Sequence, residues 1–199
     1  MDERLWDERY STSDLIWTAQ PNVFLVRETA DLSPGTALDL ACGEGRNTVW
    51  LAEHGWDATG VDYSSVGLKK AAALAEQREV DVTFEQHDAT TWMPERSFDL
   101  VAVLYLQLPP LERREAIGRA LGAMPHGGSL LVVAHDRDNL EHGIGGPRSP
   151  EVVYSVDEVV EQASAAGFEI VTAEQARRMV TTPDGERDAI DTVARARCP

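Results

Sequence analysis

Short apolar runs alternate with stretches of helical periodicity along most of the chain. The runs at 98–106 and 129–134 are almost continuously apolar, as expected of strands that are buried on both faces. With three shorter runs before them, the predicted strands are 36–41, 57–61, 82–87, 98–106 and 129–134. Strands that alternate with helical segments predict an α/β fold built on a doubly wound, mostly parallel sheet of the Rossmann-like kind.

Helix signals fill the gaps between these strands. Ser64 can cap a helix over 65–78, whose apolar positions share one face. A proline at its start suits the helix predicted over 110–122. A capping box, Ser-x-x-Glu, opens a third helix over 155–167.

The end of the chain breaks the alternation. Two β-like runs, 168–174 and 188–197, flank the turn-forming sequence Pro183-Asp184-Gly185, which predicts an antiparallel hairpin added to the sheet edge. Segment 135–153 is long and rich in glycine and proline, and loops of that length in compact domains are usually functional or disordered. We therefore expect residues 1–199 to form one domain that carries a lid loop.

Charge and cysteine content restrict the class of protein. The 199 residues include 18 Lys and Arg against 34 Asp and Glu, a formal net charge of −16. Such a chain is a poor sequence-independent nucleic-acid binder, and it should prefer neutral or cationic small ligands unless a local basic spot is hidden in the total. No apolar run approaches the ~18 residues of a membrane span, and the acidic N-terminus does not resemble a signal peptide. Two cysteines without a CxxC motif favour a reducing, cytoplasmic location.

The strongest chemical signal is the sequence LDLACGEGRNT at 38–48, a strand that leads through Gly43-x-Gly45 into a helix. Glycines there allow a tight turn and close approach of a ligand to the backbone. Asp62 ends the second predicted strand about where an acid meets ribose hydroxyls in dinucleotide-binding folds. Asp88 ends the third strand and can accept from an adenine amino group. An ordinary strand-to-helix turn remains the alternative interpretation of the glycines alone.

Asp39 lies inside the first predicted strand, where an acid is costly unless it is satisfied. Its position is explained if the ligand carries an ammonium group that the carboxylate meets directly or through the ligand's water shell. An NAD-linked oxidoreductase is a competing interpretation, but the third glycine of G-x-G-x-x-G is Thr48 here. Asp39 and Glu44 would also repel a pyrophosphate.

LDLACGEG, GVDYS, HDA and FDLVAVLYLQLP together resemble the motif series of class I S-adenosylmethionine-dependent methyltransferases, over residues 6–135. The resemblance implies S-adenosylmethionine as the cofactor and S-adenosylhomocysteine as its product. By this likeness the loop cysteine and glycines line the methionine part, Asp62 holds the ribose and Tyr63 flanks the adenine. The implied cofactor-binding residues are Arg9, Tyr10, Asp39, Ala41, Cys42, Gly43, Gly45, Asn47, Asp62, Tyr63, Ser64, Asp88, Ala89 and Leu104.

Within that class the chain is similar to the small-molecule branch that includes tellurite-resistance and thiopurine methyltransferases. The opening Trp6-x-x-Arg9-Tyr10 resembles the N-terminal cap that covers the cofactor there, here residues 1–30. The aromatic residues could instead only pack a helix, whereas Arg9 could clamp a carboxylate or an anionic substrate. The absence of an added substrate domain favours methylation of a small molecule.

Residues at the carboxyl ends of the fourth and fifth strands supply the candidate chemistry, because open α/β sheets bind ligands there. His135 is a candidate general base and Tyr105 a second catalytic candidate, although His135 could also be purely structural. The candidate substrate-binding residues are Trp6, Tyr105, Gln107, Asp136 and His142. Arg177 and Arg178 are expected on a solvated strand.

We expect segment 135–148 and the Trp6–Trp17 stretch to form a lid over the substrate. The histidine spacing does not match a metal site, so no metal is predicted. A non-catalytic nucleoside-binding module remains a further alternative. The sequence leaves the oligomeric state open.

Overall fold

The computed structural model describes residues 3–11, 15–16, 18–183 and 185–199. Its strands form one seven-stranded sheet in the order β3-β2-β1-β4-β5-β7-β6. In chain order the elements are α1 (Glu3–Tyr10), α2 (Val23–Thr29), β1 (Thr36–Leu40), α3 (Arg46–Glu53), β2 (Asp57–Asp62), α4 (Ser65–Gln77), β3 (Thr83–Gln86), β4 (Leu100–Leu104), α5 (Pro110–Gly122), β5 (Ser129–His135), α6 (Asn139–His142), α7 (Val156–Ala165), β6 (Glu169–Thr182) and β7 (Gly185–Arg197).

Strands β1 to β5 pair in parallel and carry helices on both faces, which confirms the doubly wound arrangement. Alternate residues of β4 face opposite sides of the sheet, as the pleat requires. Val101 and Val103 pack with α5 and α7, whereas Leu100 and Ala102 pack with α2 and α3. Burial on both faces explains why this strand reads as a continuous apolar run.

The local helix signals are confirmed. The Ser64 hydroxyl accepts from the Gly67 amide at the start of α4, and Ser155 forms its capping box with Glu158 at the start of α7. Both caps satisfy amides that have no partner within their helix. Among the helices of the described residues, none is long and apolar enough to cross a bilayer.

The C-terminal hairpin is also confirmed, because β7 pairs antiparallel with both β5 and β6. However, β6 runs to Thr182, well beyond the predicted 168–174. The added part has no apolar alternation and forms because β7 supplies a ladder partner at every position. The predicted turn residue Asp184 lies outside the described residues.

Segment 135–153 is more ordered than the predicted loop, since it contains α6 and is bonded to β7. The Asn139 side chain is buried, accepts from the Ile190 amide at 2.8 Å and donates to the Gly145 carbonyl at 3.0 Å. These bonds fix the returning half of the segment against the hairpin. The segment therefore forms a wall beside the sheet rather than a free flap.

The N-terminal helix α1 packs against α4. The Asp7 carboxylate accepts from the Ser64 hydroxyl at 2.5 Å, and the Tyr10 side chain is buried. A Cβ on Gly43 would lie 2.6 Å from the Tyr10 hydroxyl, and one on Gly67 would lie 3.2 Å from its ring. Two glycines therefore form the seat of α1. Trp17, the last residue of the predicted lid stretch, lies outside the described residues.

Filling this seat should release α1 without unfolding the domain. We expect Gly67→Val to speed hydrogen exchange of the α1 amides by tenfold or more, because the added methyl groups displace the Tyr10 ring. The matched control is Gly118→Val in α5, where a new Cβ meets only Gln162 at 3.7 Å. Equal exchange of α1 in the two variants would contradict the seat.

Candidate active site

A cavity of about 600 Å³ lies at the carboxyl ends of the parallel strands. This volume falls in the ordinary range of small-molecule sites, about 300–1,000 Å³. The position is the one where open α/β sheets bind ligands. The sequence-predicted residues on its wall are Trp6, Arg9, Tyr10, Ala41, Cys42, Gly43, Asn47, Asp62, Tyr63, Asp88, Ala89, Leu104, Tyr105, Gln107 and His135.

The loop after β1 turns through left-handed backbone at Ala41, Gly43 and Gly45, with φ values of 64°, 56° and 77°. A Cβ on Gly45 would lie 2.5 Å from the Cβ of Ala71, so this glycine allows α4 to approach the loop. Gly45 lies behind the wall of the cavity, whereas Gly43 forms part of it. The two glycines that the sequence paired thus have different roles.

Asp39 lies behind the loop and is 1% exposed. One carboxylate oxygen accepts from the Thr48 hydroxyl at 2.7 Å, and the other has no hydrogen-bond partner. Burial, and secondarily the nearby Asp62 carboxylate, raise the pKa of Asp39 to about 6. Asp39 does not line the cavity, so its unsatisfied oxygen would act from behind the wall on a cationic ligand group, which fits the ammonium that the sequence predicted.

Asp62 ends β2 on the wall of the cavity. Its two carboxylate oxygens accept from the Gly43 and Ser64 amides, each at 2.9 Å. Burial raises the pKa of Asp62, against the effect of these amide bonds. The Tyr63 amide also bonds to this carboxylate, which has about four acceptor positions, so it can still accept from a ligand hydroxyl group. Ser64 itself lies behind the wall and supports Asp62 and α1.

Asp88 follows β3 on the same wall. Its Oδ1 atom accepts from the Thr90 amide at 2.8 Å and from the Thr90 hydroxyl at 2.7 Å. This local turn leaves Oδ2 available to a ligand. Tyr63 and Ala89 lie beside it on the wall, so a planar ring has both a slot and an acceptor there.

Tyr105 and His135 meet at the ends of β4 and β5, with ring centroids 4.8 Å apart. The Tyr105 hydroxyl donates to Asp191 at 3.1 Å. Burial and the Asp191 charge raise the pKa of Tyr105 to about 12, so its hydroxyl is a donor near neutral pH rather than a base. The His135 Nδ1 atom lies 3.3 Å from the other Asp191 oxygen, but neither atom makes a hydrogen bond.

Two arginines that the sequence did not assign to the site also line the cavity. Arg178, expected on a solvated strand, donates from Nε to Asp191 at 2.9 Å, so that expectation is wrong. Its partner comes from the other strand of the hairpin, which no local pattern indicates. Arg177 pairs with Asp188 at the surface, as expected.

Arg46 is the first residue of α3 and also lies on the wall. The sequence does contain a signal that Arg46 belongs to the site. A cation at a helix N-terminus is opposed by the helix dipole, so an arginine directly after the glycine loop indicates a nearby anion.

Asp136 and His142 do not line the cavity, so neither is placed to contact a substrate there. Asp136 is buried and accepts from the Thr192 hydroxyl at 2.6 Å, which ties segment 135–153 to β7. The His142 side chain is 66% exposed, because α6 directs it outward. Gly146, further along the segment, packs against the His135 ring instead.

In the part of the chain that the structure describes, no group of three His, Cys, Asp or Glu side chains is placed to hold a metal ion. The cofactor predicted from the sequence is organic. Asp39 inside β1, Asp62 at the end of β2 and Asp88 after β3 would suit its ammonium, ribose and adenine groups in that order.

Comparisons with known proteins agree with this geometry. A family model described as a methyltransferase domain matches residues 37–128. A putative methyltransferase of Geobacillus sp. (strain WCH70) is 34% identical over 53% of this chain and 44% of its own length. Thiocyanate methyltransferase 1 of Arabidopsis thaliana is 26% identical over 92% of this chain and 80% of its own length.

A solved structure of similar fold is the N-methyltransferase NodS from Bradyrhizobium japonicum WM9, in complex with S-adenosylhomocysteine. It has a TM-score of 0.76 and 19% identity, and the match covers 99% of this chain and 98% of NodS. At that identity the likeness concerns the fold.

The buried Asp39 should make ligand binding depend on pH. The ammonium group of the ligand prefers the ionised carboxylate, so the affinity for S-adenosylhomocysteine should rise as the pH passes upward through about 6. We expect about a tenfold gain between pH 5 and pH 7, which corresponds to ~1.4 kcal/mol. Calorimetry on Asp39→Asn should show a flat profile; a gain as large as in the wild type would exclude Asp39.

Removal of the Asp62 carboxylate should weaken the same ligand. Hydrogen bonds to a charged group contribute ~1.5–3 kcal/mol each, so Asp62→Ala should lower the affinity for S-adenosylhomocysteine by tenfold or more. The control is Asp57→Ala at the exposed start of the same strand, where the carboxylate pairs with Arg96. Unchanged affinity in folded Asp62→Ala would refute the ribose assignment.

Proposed function

We propose that this chain, which belongs to the class I S-adenosylmethionine-dependent methyltransferases, methylates a small molecule bound between Tyr105 and the N-terminal cap. The observation that carries the proposal is one continuous cavity over the ends of the parallel strands. Acids follow the strands at one end of it, and Tyr105 and His135 lie at the other. Such a division suits one site for a nucleoside and another for a methyl acceptor.

In this proposal the acids hold the cofactor. Asp62 accepts from the ribose hydroxyls, Asp88 accepts from the adenine amino group, and Asp39 balances the ammonium charge. When bound, S-adenosylmethionine supplies a methyl group on a positively charged sulfur. The chain's own residues then have to orient the acceptor and keep water away.

Orientation is the main requirement of an in-line displacement, and it can lower the barrier by several kcal/mol. The Tyr105 hydroxyl is held by Asp191 and can direct the acceptor. Trp6 and Tyr10 form part of the cavity wall above the loop, where they exclude water. His135 is the group that can take a proton from an acceptor that arrives protonated.

The enclosed volume of the cavity limits the size of the acceptor. The cavity has to hold a nucleoside-sized cofactor as well, and α1 packs over it, so the remaining space suits a small molecule. One relative supports this choice: the Arabidopsis protein is named a thiocyanate methyltransferase, and thiocyanate is a small molecule.

We further propose that residues 1–199 act as one domain, since the hairpin belongs to the same sheet as the parallel strands. A cytoplasmic location is supported by Cys42 and Cys198, which are both free thiols.

The direct test is to incubate the purified chain with methyl-labelled S-adenosylmethionine and four acceptor classes: thiols, phenols, amines and oxyanions. We expect labelled product and S-adenosylhomocysteine to form in equal amounts with at least one class. Tight binding of S-adenosylhomocysteine without turnover of any class would instead support the non-catalytic module.

His135 and His142 provide a matched pair of variants. His135→Ala should lower turnover by tenfold or more and leave the affinity for S-adenosylhomocysteine within twofold, because the cofactor residues lie elsewhere. His142→Ala should behave as the wild type, since its side chain points into solvent. If both variants keep full activity, His135 has only a structural role.

A further inference from the structure

The acceptor end of the cavity is cationic, although the chain carries a net charge of −16. Arg46 reaches it from α3 and Arg178 from β6. Arg178 and Tyr105 both act electrostatically on Arg46, and Tyr105 also acts on Arg178. The sequence left open a local basic spot that the negative net charge of the chain would hide. The arginines form such a spot at the proposed acceptor position.

The Arg178 charge is neutralised by Asp191. The Arg178 Nε atom donates to Asp191 Oδ2 at 2.9 Å, and the carboxylate is completely buried. The same oxygen accepts from the Tyr105 hydroxyl. Asp191 thus orients two groups of the acceptor site and removes one positive charge from it.

Arg46 has no such partner. Among the described residues its guanidinium makes no hydrogen bond or ion pair, and burial lowers the pKa of this group. The nearest acidic neighbour along the chain, Glu44, is engaged by the Lys70 ammonium at 2.9 Å and by the Ile16 amide. The dipole of α3 adds positive potential at the same place. Asp39 also attracts this cation, but its carboxylate bonds to Thr48 and forms no ion pair with Arg46. A partly desolvated cation in this setting has no directly bonded counter-charge.

We propose that the methyl acceptor is a monoanion, that Arg46 supplies a positive charge that selects it, and that Asp191 offsets the charge of Arg178. This inference rests on the proposed function. A neutral acceptor would leave Arg46 unpaired, whereas a dianion would bring a second negative charge towards Asp191. An acceptor that arrives as an anion has no proton to lose, so Tyr105 and His135 position it.

The test uses two acceptors that share a ring and a nucleophile. At pH 8, 4-nitrothiophenol is a monoanionic thiolate, and 4-mercaptobenzoate is a dianion. The wild type should favour the monoanion in kcat/KM by tenfold or more. Arg46→Met should raise KM for the monoanion by tenfold or more and keep the affinity for S-adenosylhomocysteine within twofold.

Asp191→Asn should reduce the preference for the monoanion over the dianion. An asparagine oxygen can still accept from Tyr105, but Arg178 is no longer neutralised, so the preference should move towards the dianion by tenfold or more. Arg178→Met is a second variant that does not depend on the folding of Asp191→Asn, and it should weaken the monoanion through the uncompensated Asp191. Arg177→Met is the control, because Arg177 is exposed on the same strand and pairs with Asp188.

Binding of nitrate to the complex with S-adenosylhomocysteine, measured by calorimetry, gives the same comparison without turnover. Nitrate should bind to the wild type and to Arg177→Met with similar affinity. Its affinity for Arg46→Met should be lower by tenfold or more. Nitrate binding that is insensitive to Arg46 overturns this inference alone. An equal loss of nitrate and S-adenosylhomocysteine affinity would assign Arg46 to the cofactor carboxylate and also overturn it. Failure of the wild type to bind S-adenosylhomocysteine overturns the proposed function itself.

Discussion

The Asp62 carboxylate holds together the three segments that shape the cavity. Its oxygens accept from the Gly43 amide in the loop after β1 and from the Ser64 amide at the start of α4. Ser64 in turn donates to Asp7 of α1. The acid that we assign to the ribose therefore also supports the loop and the seat of the cap, so loop, cap and proposed ligand share one support.

Glycine is required at this junction because the backbone and side chains approach so closely. Gly43 leaves room for the Tyr10 hydroxyl, and Gly45 leaves room for Ala71. The resulting cavity is polarised, with acids at the proposed nucleoside end and arginines at the proposed acceptor end. A cofactor with an ammonium group and an acceptor with a negative charge would each meet groups of opposite sign.

Sequence reasoning predicted the features that depend on local pattern. The apolar pattern predicted that β4 is buried on both faces, and capping residues predicted the helix starts at Ser64 and Ser155. The predicted strand ends gave the positions of Asp62 and Asp88. Long-range pairing was not predictable in this way. Arg178 and Asp191 meet only because β6 and β7 pair far beyond the apolar part of the hairpin.

The NAD-linked alternative and the methyltransferase differ most directly in their ligands. Calorimetric titration of the wild-type chain with S-adenosylhomocysteine and, separately, with NAD tests the central claim. We predict one S-adenosylhomocysteine bound per chain and no measurable heat with NAD, because Asp39 and Glu44 at the glycine loop oppose a pyrophosphate. Binding of NAD at least as tight as that of S-adenosylhomocysteine would contradict the account.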